Sequence, residues 1–158
     1  SRAPGVVGAA LDDPDSWCGL IVDGVHVHAT TLRLAIAVKR RGRMVLVTDA
    51  MATVGAQSRS FELYGETITE IDGRCANADG TLAGSALDMA TAVRNTVSRV
   101  GLPVEEALRM ASAYPAAFLG LGDRIGRIEP GHRADLVLLD DGLRVVETWI
   151  GGRDSTSA

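Results

Sequence analysis

Residues 17–23 read Trp-Cys-Gly-Leu-Ile-Val-Asp, and residues 44–49 read Met-Val-Leu-Val-Thr-Asp. Each stretch is a short apolar run that ends at an aspartate, which is the pattern of a buried strand followed by a turn. Between them, apolar residues recur at helical spacing, which predicts a helix with Thr30 or Thr31 as its N-cap and Gly42 after its last turn. A strand, a helix and a second buried strand in this order predict a parallel sheet covered by helices, and hence an α/β fold.

The next part of the chain changes character. Residues 60–82 are punctuated by glycines and predict short antiparallel strands. Helical spacing then returns and predicts a helix with Ser85 as its N-cap. Farther on, residues 134–139 and 145–150 predict two strands joined by a two-residue turn at Asp141-Gly142.

Composition and charge exclude several classes of partner. The 158 residues carry 16 lysines and arginines against 20 aspartates and glutamates, a formal net charge of -4, which argues against nucleic acid or an anionic membrane as a partner. The apolar runs are far shorter than the roughly 18 residues that a membrane-spanning helix needs. The two cysteines, Cys18 and Cys75, form no CxxC or zinc-site spacing, and the chain begins with no secretory signal, so we expect a cytoplasmic protein.

Two candidate sites lie where predicted strands end, because ligands of α/β proteins bind at the carboxyl edge of a parallel sheet. After the first strand, His26 and His28 alternate with valine, so in an extended chain both imidazoles point to one face. After the second strand, Asp49 is poorly placed for packing, since an unpaired buried carboxylate is costly. The same patterns also fit two solvated loop histidines and an aspartate that caps the following segment.

Together, His26, His28 and Asp49 could form a metal site of two histidines and one carboxylate. They could equally supply acid–base and substrate-positioning groups around a metal held by other residues, and the pattern leaves both alternatives open. His132 lies in a Pro-Gly-His turn, and we expect it at the surface. Residues 80–85 lack the lysine of a Walker sequence, and they predict a flexible approach to a helix N-terminus that could face a polar or anionic ligand.

Six stretches carry a resemblance to a known family. They are Asp-Gly-Val-His-Val at 23–27, Leu-Val-Thr-Asp-Ala-Met at 46–51, Gly-Thr-Leu-Ala-Gly-Ser-Ala-Leu at 80–87, Ala-Val-Arg-Asn at 92–95, Gly-Arg-Ile-Glu-Pro-Gly at 126–131 and Ala-Asp-Leu-Val at 134–137. Together they resemble the N-acetylglucosamine-6-phosphate deacetylase family, and the last two stretches are typical of the wider amidohydrolase superfamily. The resemblance covers nearly the whole chain.

The resemblance implies a metal-dependent (β/α)₈ barrel beside a small β-sandwich domain, of which this chain would be the C-terminal part. Residues 1–125 would then belong to the barrel, with a β-hairpin insertion near 60–82, and residues 126–152 would supply strands of the β-sandwich. Residues 153–158 are expected to be a disordered tail. The chain length agrees with a part, since a complete barrel takes roughly 250 residues.

The resemblance also implies roles for individual residues. Asp49 would match the catalytic aspartate, which takes a proton from the hydrolytic water and passes it to the departing amine. His26 would contact the sugar, and Arg2 would bind the substrate phosphate across a homodimer interface. Leu82 and Ser85 would shape the sugar pocket. The resemblance gives His28 no fixed role, so we do not expect it to be a metal ligand.

The implied reaction converts N-acetylglucosamine 6-phosphate to glucosamine 6-phosphate and acetate with a divalent metal ion, zinc or iron. The family's metal ligands, a glutamate and two histidines, would all precede residue 1, so we expect the isolated chain to be an incomplete enzyme and a poor catalyst. Two alternatives stay open: another amidohydrolase that acts on a cyclic amide, and a non-catalytic remnant that binds a sugar phosphate or a partner protein.

Overall fold

The computed structural model describes residues 2–155. In chain order the elements are α1 (Gly5–Asp12), β1 (Cys18–Ile21), α2 (Ala29–Val38), β2 (Met44–Val47), β3 (Ser60–Leu63), β4 (Glu66–Ile71), β5 (Arg74–Ala76), β6 (Leu82–Ser85), α3 (Met89–Asn95), α4 (Val104–Ala111), α5 (Ala113–Phe118), β7 (Leu136–Leu139), β8 (Val145–Ile150) and β9 (Arg153–Asp154). One turn of π-helix, Thr96–Val100, continues α3. No described helix is long and apolar enough to cross a membrane.

The prediction of a strand, a helix and a second parallel strand is confirmed. Strands β1 and β2 pair in parallel, with Ile21 opposite Val47 at their carboxyl ends, and α2 connects them. The main core lies between this pair of strands and helices α2, α3 and α4. Its buried side chains include Leu20, Val22, Leu32, Met44, Leu46, Leu87, Val93, Val100 and Met110.

Helix α2 begins two or three residues earlier than the sequence predicts. His28 is the N-cap, and its Nδ1 accepts a hydrogen bond from the backbone N–H of Thr30 at 3.2 Å, so the expected caps Thr30 and Thr31 both lie inside the helix. The residue after α2, Lys39, is only 5% exposed. Its ammonium group donates to the carbonyl oxygens of Ala10 and Asp13, and it thereby ties the C-terminal end of α1 to α2.

The antiparallel segment is a four-stranded sheet in the order β3-β4-β5-β6. It extends beyond residue 82, because Ser85 is the last residue of β6 and pairs with Arg74. The prediction that Ser85 caps the next helix is therefore wrong. Asp88 is the N-cap of α3, and its side chain accepts from the backbone N–H of Thr91 at 2.8 Å.

The C-terminal strands form a separate antiparallel sheet in the order β7-β8-β9. A loop of residues 140–144 joins β7 to β8 in place of the predicted two-residue turn, and the Asp140 carboxylate accepts from the backbone N–H of Arg144 at 2.8 Å. Arg153–Asp154 form β9 and pair with β8, so the expected disorder does not extend to them. Residues 156–158 of the predicted tail lie outside the described residues.

Candidate active site

Two loops meet at one edge of the parallel sheet. Strands β1 and β2 end opposite each other, so the residues that follow them leave the sheet side by side. Asp23 and His26 follow β1, and Asp49 follows β2. The sequence predicts this juxtaposition, and in α/β folds the carboxyl edge of the sheet is where ligand-binding side chains project.

The loop after β1 is organised by the carboxylate of Asp23. One oxygen, Oδ1, accepts from the backbone N–H groups of Val25 at 2.9 Å and His26 at 3.0 Å. The other, Oδ2, lies 2.6 Å from Nδ1 of the His26 ring. The Asp23 side chain is 6% exposed, whereas the His26 side chain is 19% exposed and remains accessible at the sheet edge.

The electrostatics of this pair favour an ionised carboxylate. Burial raises the pKa of Asp23, but the hydrogen bonds from the His26 ring and from the two backbone N–H groups outweigh burial and leave the pKa below its ordinary value. Because an ionised carboxylate can only accept hydrogen bonds, the proton between the two side chains belongs to Nδ1 of His26.

The end of α3 and the π-helical turn brace the same loop. The side-chain amide of Asn95 donates to the carbonyl oxygen of Val22 at 2.7 Å, and the Arg99 guanidinium donates to the carbonyl oxygen of Asp23 at 3.2 Å. Arg99 packs so closely that a Cβ atom at Gly24 would clash with its Nη1. The Asp23–His26 loop is thus fixed from two sides, by its own backbone and by the helix behind it.

Asp49 adopts a left-handed backbone conformation with φ of 52°, and its side chain is exposed. The backbone around it is pinned to β6: the N–H of Ser85 donates to the Asp49 carbonyl oxygen at 2.8 Å, and the N–H of Met51 donates back to the Ser85 carbonyl oxygen at 2.9 Å. Within residues 2–155 the Asp49 carboxylate has no hydrogen-bond or ion-pair partner. A free carboxylate on a fixed backbone suits a group that exchanges protons with a ligand.

Ser85 is completely buried, and its hydroxyl is already engaged. It donates to the carbonyl oxygen of Thr48 at 2.5 Å and accepts from the N–H of Leu87 at 3.0 Å. In the structure this hydroxyl holds the segment that carries Asp49, and its direct contact with a sugar stays a prediction. Gly84 makes the close approach possible, since a Cβ there would lie 2.9 Å from the Asp49 carbonyl oxygen.

The two remaining predicted binding residues are exposed. Leu82, at the start of β6, is 36% exposed and borders a shallow hollow of about 170 Å³ together with Leu63 and Tyr64. Arg2 precedes α1, the helix that Lys39 anchors to α2. Their contacts with a ligand stay predictions.

The metal-site alternative finds no support among the residues that the structure describes. They contain no group of three histidine, cysteine, aspartate or glutamate side chains that could hold a metal ion. His26 and His28 each use Nδ1 within the protein, the first on Asp23 and the second as a helix cap. His132 is half-buried rather than at the surface, with Nε2 3.2 Å from the carbonyl oxygen of Gly122. The described residues therefore do not form a metal site by themselves.

Sequence reasoning gave no role to Asp23, the hydrogen-bond partner of His26. Its signal is the spacing Asp-Gly-Val-His directly after a strand. In such a turn the aspartate side chain accepts hydrogen bonds from the backbone N–H groups two and three residues later. The same turn that ends the strand thus also orients the histidine.

Comparisons with known proteins identify the family of this chain. Residues 5–154 match the Amidohydrolase family. The chain is 43% identical over 152 residues to a protein of Escherichia coli K12 named "Putative N-acetylgalactosamine-6-phosphate deacetylase", covering 96% of this chain and 90% of that protein. It is also 43% identical to an N-acetylgalactosamine-6-phosphate deacetylase of Escherichia coli O157:H7, covering 96% of this chain and 40% of that protein.

A solved structure gives the same result in three dimensions. The N-acetylglucosamine-6-phosphate deacetylase of Pasteurella multocida superposes with a TM-score of 0.93 and 41% sequence identity, covering 98% of this chain and 40% of that protein. The chain thus spans 90% of one relative and about 40% of the two others.

Proposed function

We propose that this chain, which belongs to the amidohydrolase family, supplies the general acid–base group and part of the sugar site of an N-acetyl-amino-sugar 6-phosphate deacetylase. The reaction would release acetate and leave the free amino sugar phosphate. The names of the relatives support an amino-sugar phosphate as the substrate, and they divide between the glucosamine and galactosamine forms. We propose N-acetylglucosamine 6-phosphate as the first substrate to test.

The observation that carries this proposal is the free carboxylate of Asp49 beside the His26 loop. Hydrolysis of an amide requires a base that takes a proton from water and an acid that returns it to the departing nitrogen. Asp49 can do both, because no protein group competes for its carboxylate within the described part of the chain. Ser85 donates to the carbonyl oxygens of Asp49 and Thr48 and so holds this backbone, which means that the carboxylate needs little reorganisation.

The remaining site residues would bind the substrate. His26, half-buried at the sheet edge, would contact a sugar hydroxyl, and Leu82 and Ser85 would shape the wall of the sugar pocket. Arg2 would bind the 6-phosphate, since a guanidinium matches a phosphate with paired hydrogen bonds. In the complete protein this arginine would act across the interface of a homodimer.

We also propose the wider architecture that the family resemblance implies. Strands β1 and β2 would be the last strands of a (β/α)₈ barrel, and β7–β9 would belong to a β-sandwich domain. Deacetylases of this superfamily depend on a metal ion, which polarises the amide carbonyl. We propose zinc or iron, held mainly by residues upstream of this chain, as the family resemblance implies.

Acetate release from N-acetylglucosamine 6-phosphate tests the proposal. The assay compares the 158-residue chain with the same chain extended upstream by the part of the Pasteurella multocida enzyme that precedes the matched region, both with added zinc. Turnover by the extended protein alone is the expected result, and the galactosamine substrate then defines the sugar preference. An inactive extended protein that still binds the sugar phosphate by calorimetry would favour a non-catalytic binding role instead.

A further inference from the structure

The carboxylate of Asp23 directs all of its hydrogen bonds at the turn that carries His26. It is 6% exposed, and its two oxygens accept from two successive backbone N–H groups and from the His26 ring. A turn of this kind needs only the hydrogen bonds from the backbone N–H groups to Oδ1. The second oxygen, Oδ2, is left to bind the imidazole alone.

The contact between Asp23 and His26 decides which ring nitrogen of the neutral histidine carries the proton. Oδ2 lies 2.6 Å from Nδ1, the short distance of a charge-assisted hydrogen bond. With Nδ1 protonated, the other nitrogen, Nε2, keeps its lone pair and can accept a hydrogen bond. A nitrogen in this state recognises a hydroxyl group, which donates.

The ring cannot easily leave this orientation. Arg99 holds the carbonyl oxygen of Asp23, and Asn95 holds that of Val22, so the loop is anchored at the strand end as well as through the carboxylate. The His26 side chain is nevertheless 19% exposed, so it is not sealed from a ligand. A fixed loop with an accessible side chain is the arrangement of a preorganised binding group.

We propose that Asp23 is a positioning residue that holds His26 as the Nδ1–H tautomer and so presents Nε2 as the acceptor for a hydroxyl of the sugar ligand. The identity of the ligand rests on the proposed function, whereas the tautomer does not. Asp23 acts through His26 and does not itself contact the ligand.

Nitrogen-15 NMR of the 158-residue chain tests this assignment without any substrate. The chain has only 3 histidines, so the long-range proton–nitrogen spectrum can be assigned by His28→Gln and His132→Gln variants. The spectrum is recorded at increasing pH until the ring nitrogen shifts no longer change, so that the tautomer is read from neutral rings. It is then repeated for Asp23→Asn and for the control Asp88→Asn, which removes a carboxylate of lowered pKa that caps α3 and does not contact His26.

We expect the wild-type chain to show Nδ1 protonated and Nε2 unprotonated at His26. In Asp23→Asn the new amide can still accept from the backbone but donates toward Nδ1, so the majority tautomer should become Nε2–H. Asp88→Asn should leave the tautomer unchanged. A wild-type ring that is mainly Nε2–H, or an unchanged ratio in Asp23→Asn, would overturn the proposal.

The wild-type spectrum decides the tautomer even where the variant does not fold. The deacetylase assay is a separate test. If the His26 tautomer changes in Asp23→Asn but the extended protein shows no deacetylase activity, the positioning role is retained and the proposed function is refuted. If the extended protein is active but His26 is mainly the Nε2–H tautomer, the proposed function is retained and the positioning role is refuted.

Discussion

At the scale of single residues, the backbone holds Asp49 while its side chain stays free. The bonds to Ser85 fix the carbonyl side of the residue, and its φ of 52° belongs to the left-handed region that aspartate and asparagine tolerate better than most residues. Substitution by asparagine should therefore leave the backbone unchanged and remove only the ability to exchange a proton.

We expect Asp49→Asn to lower kcat of the extended deacetylase by about 10²- to 10⁴-fold, the usual contribution of a general acid–base group. The free energy of unfolding should change by less than about 0.5 kcal/mol, because the carboxylate has no partner within the described residues. Acetate release and urea denaturation provide the two measurements. The control is Asp141→Asn, in the exposed loop between β7 and β8, which should leave kcat unaltered. If Asp49→Asn also leaves kcat unaltered, the proposed acid–base role of Asp49 is excluded.

The close contact at Gly84 leads to a second prediction at this scale. A Cβ atom there would lie 2.6 Å from the Met51 side chain and 2.9 Å from the Asp49 carbonyl oxygen, at a φ of 80°. Gly80 has nearly the same backbone conformation, with φ of 82°, but no atom lies within 4 Å of its Cβ position. The two glycines thus separate the steric cost of the contact from the conformational cost of a left-handed alanine.

We expect Gly80→Ala to lower the free energy of unfolding by about 1 kcal/mol and Gly84→Ala by about 2 to 4 kcal/mol, since only the second must displace packed atoms. Urea denaturation of the two variants measures the difference. Equal losses would show that β6 can move away from the Asp49 segment, contrary to the pinned arrangement. In the extended enzyme, Gly84→Ala should also lower kcat, because it displaces the backbone of Asp49.

At the scale of elements, Glu106 in α4 links that helix to α5 and to the loop after α2. Its carboxylate accepts from Arg41, which follows α2, from Arg109 one turn farther along α4, and from the hydroxyl of Tyr114 in α5. The hydrogen bond from Arg41 is the largest influence on the pKa of Glu106; burial opposes it, and with the other partners the pKa is lowered below 4.5. The ionised form is therefore the stabilising one.

The pH dependence follows from that direction. A lowered folded-state pKa gives stability that is fully present above the unfolded value of 4.5 and is lost as the pH falls through the folded value. We expect Glu106→Gln to lower the free energy of unfolding by about 1 kcal/mol at pH 7, discounted for solvent screening, and by progressively less below about pH 4.5. Glu105→Gln, its exposed neighbour, should show neither effect. A difference between wild type and Glu106→Gln that is independent of pH would contradict this assignment.

The elements also show which features the sequence could predict. The β1-α2-β2 unit was predictable because buried apolar runs and helical spacing are local signals, and the strand ends then located His26 and Asp49. Strand β6 was not, since its glycine-rich stretch has no alternation and forms by pairing with β5. The cap of α2 was missed because histidine is an unusual N-cap.

Within the site, too, contacts between segments distant in sequence could not be predicted. That Ser85 is buried and bonded to Thr48 depends on two segments 37 residues apart, and no local pattern reports their packing. The Asp23–His26 pair, by contrast, lies within four residues and carries a recognisable turn spacing. Interactions local in sequence could be predicted, and those that depend on the tertiary arrangement could not.

At the scale of the whole molecule, the accessible surface is larger than the mass requires. It measures 10159 Å² for a chain of 16.5 kDa, whereas compact monomers of that mass expose about 7,600 Å². Part of the excess is apolar: a groove of about 450 Å³ separates α3 and α4 from β7 and β8, and Ile128 and Val137 on its border are 90% and 56% exposed. The parallel sheet also has only two strands in the described chain. Surface of this extent and character is expected to be covered by further polypeptide.

The upstream extension used in the deacetylase assay should supply that cover. The Escherichia coli O157:H7 relative and the Pasteurella multocida enzyme are each covered over only 40% of their length. An extension that adds the rest of such a protein is large enough to pair the open strand edge and to pack on the apolar groove. We expect the 158-residue chain to bind the dye ANS, which reports exposed apolar surface. The extended protein should bind less dye per molecule and unfold at a higher temperature, because it buries more apolar area. Equal dye binding and equal unfolding temperatures in the two proteins would show that the extension does not cover this surface, and the barrel and sandwich architecture proposed above would then be wrong for this chain.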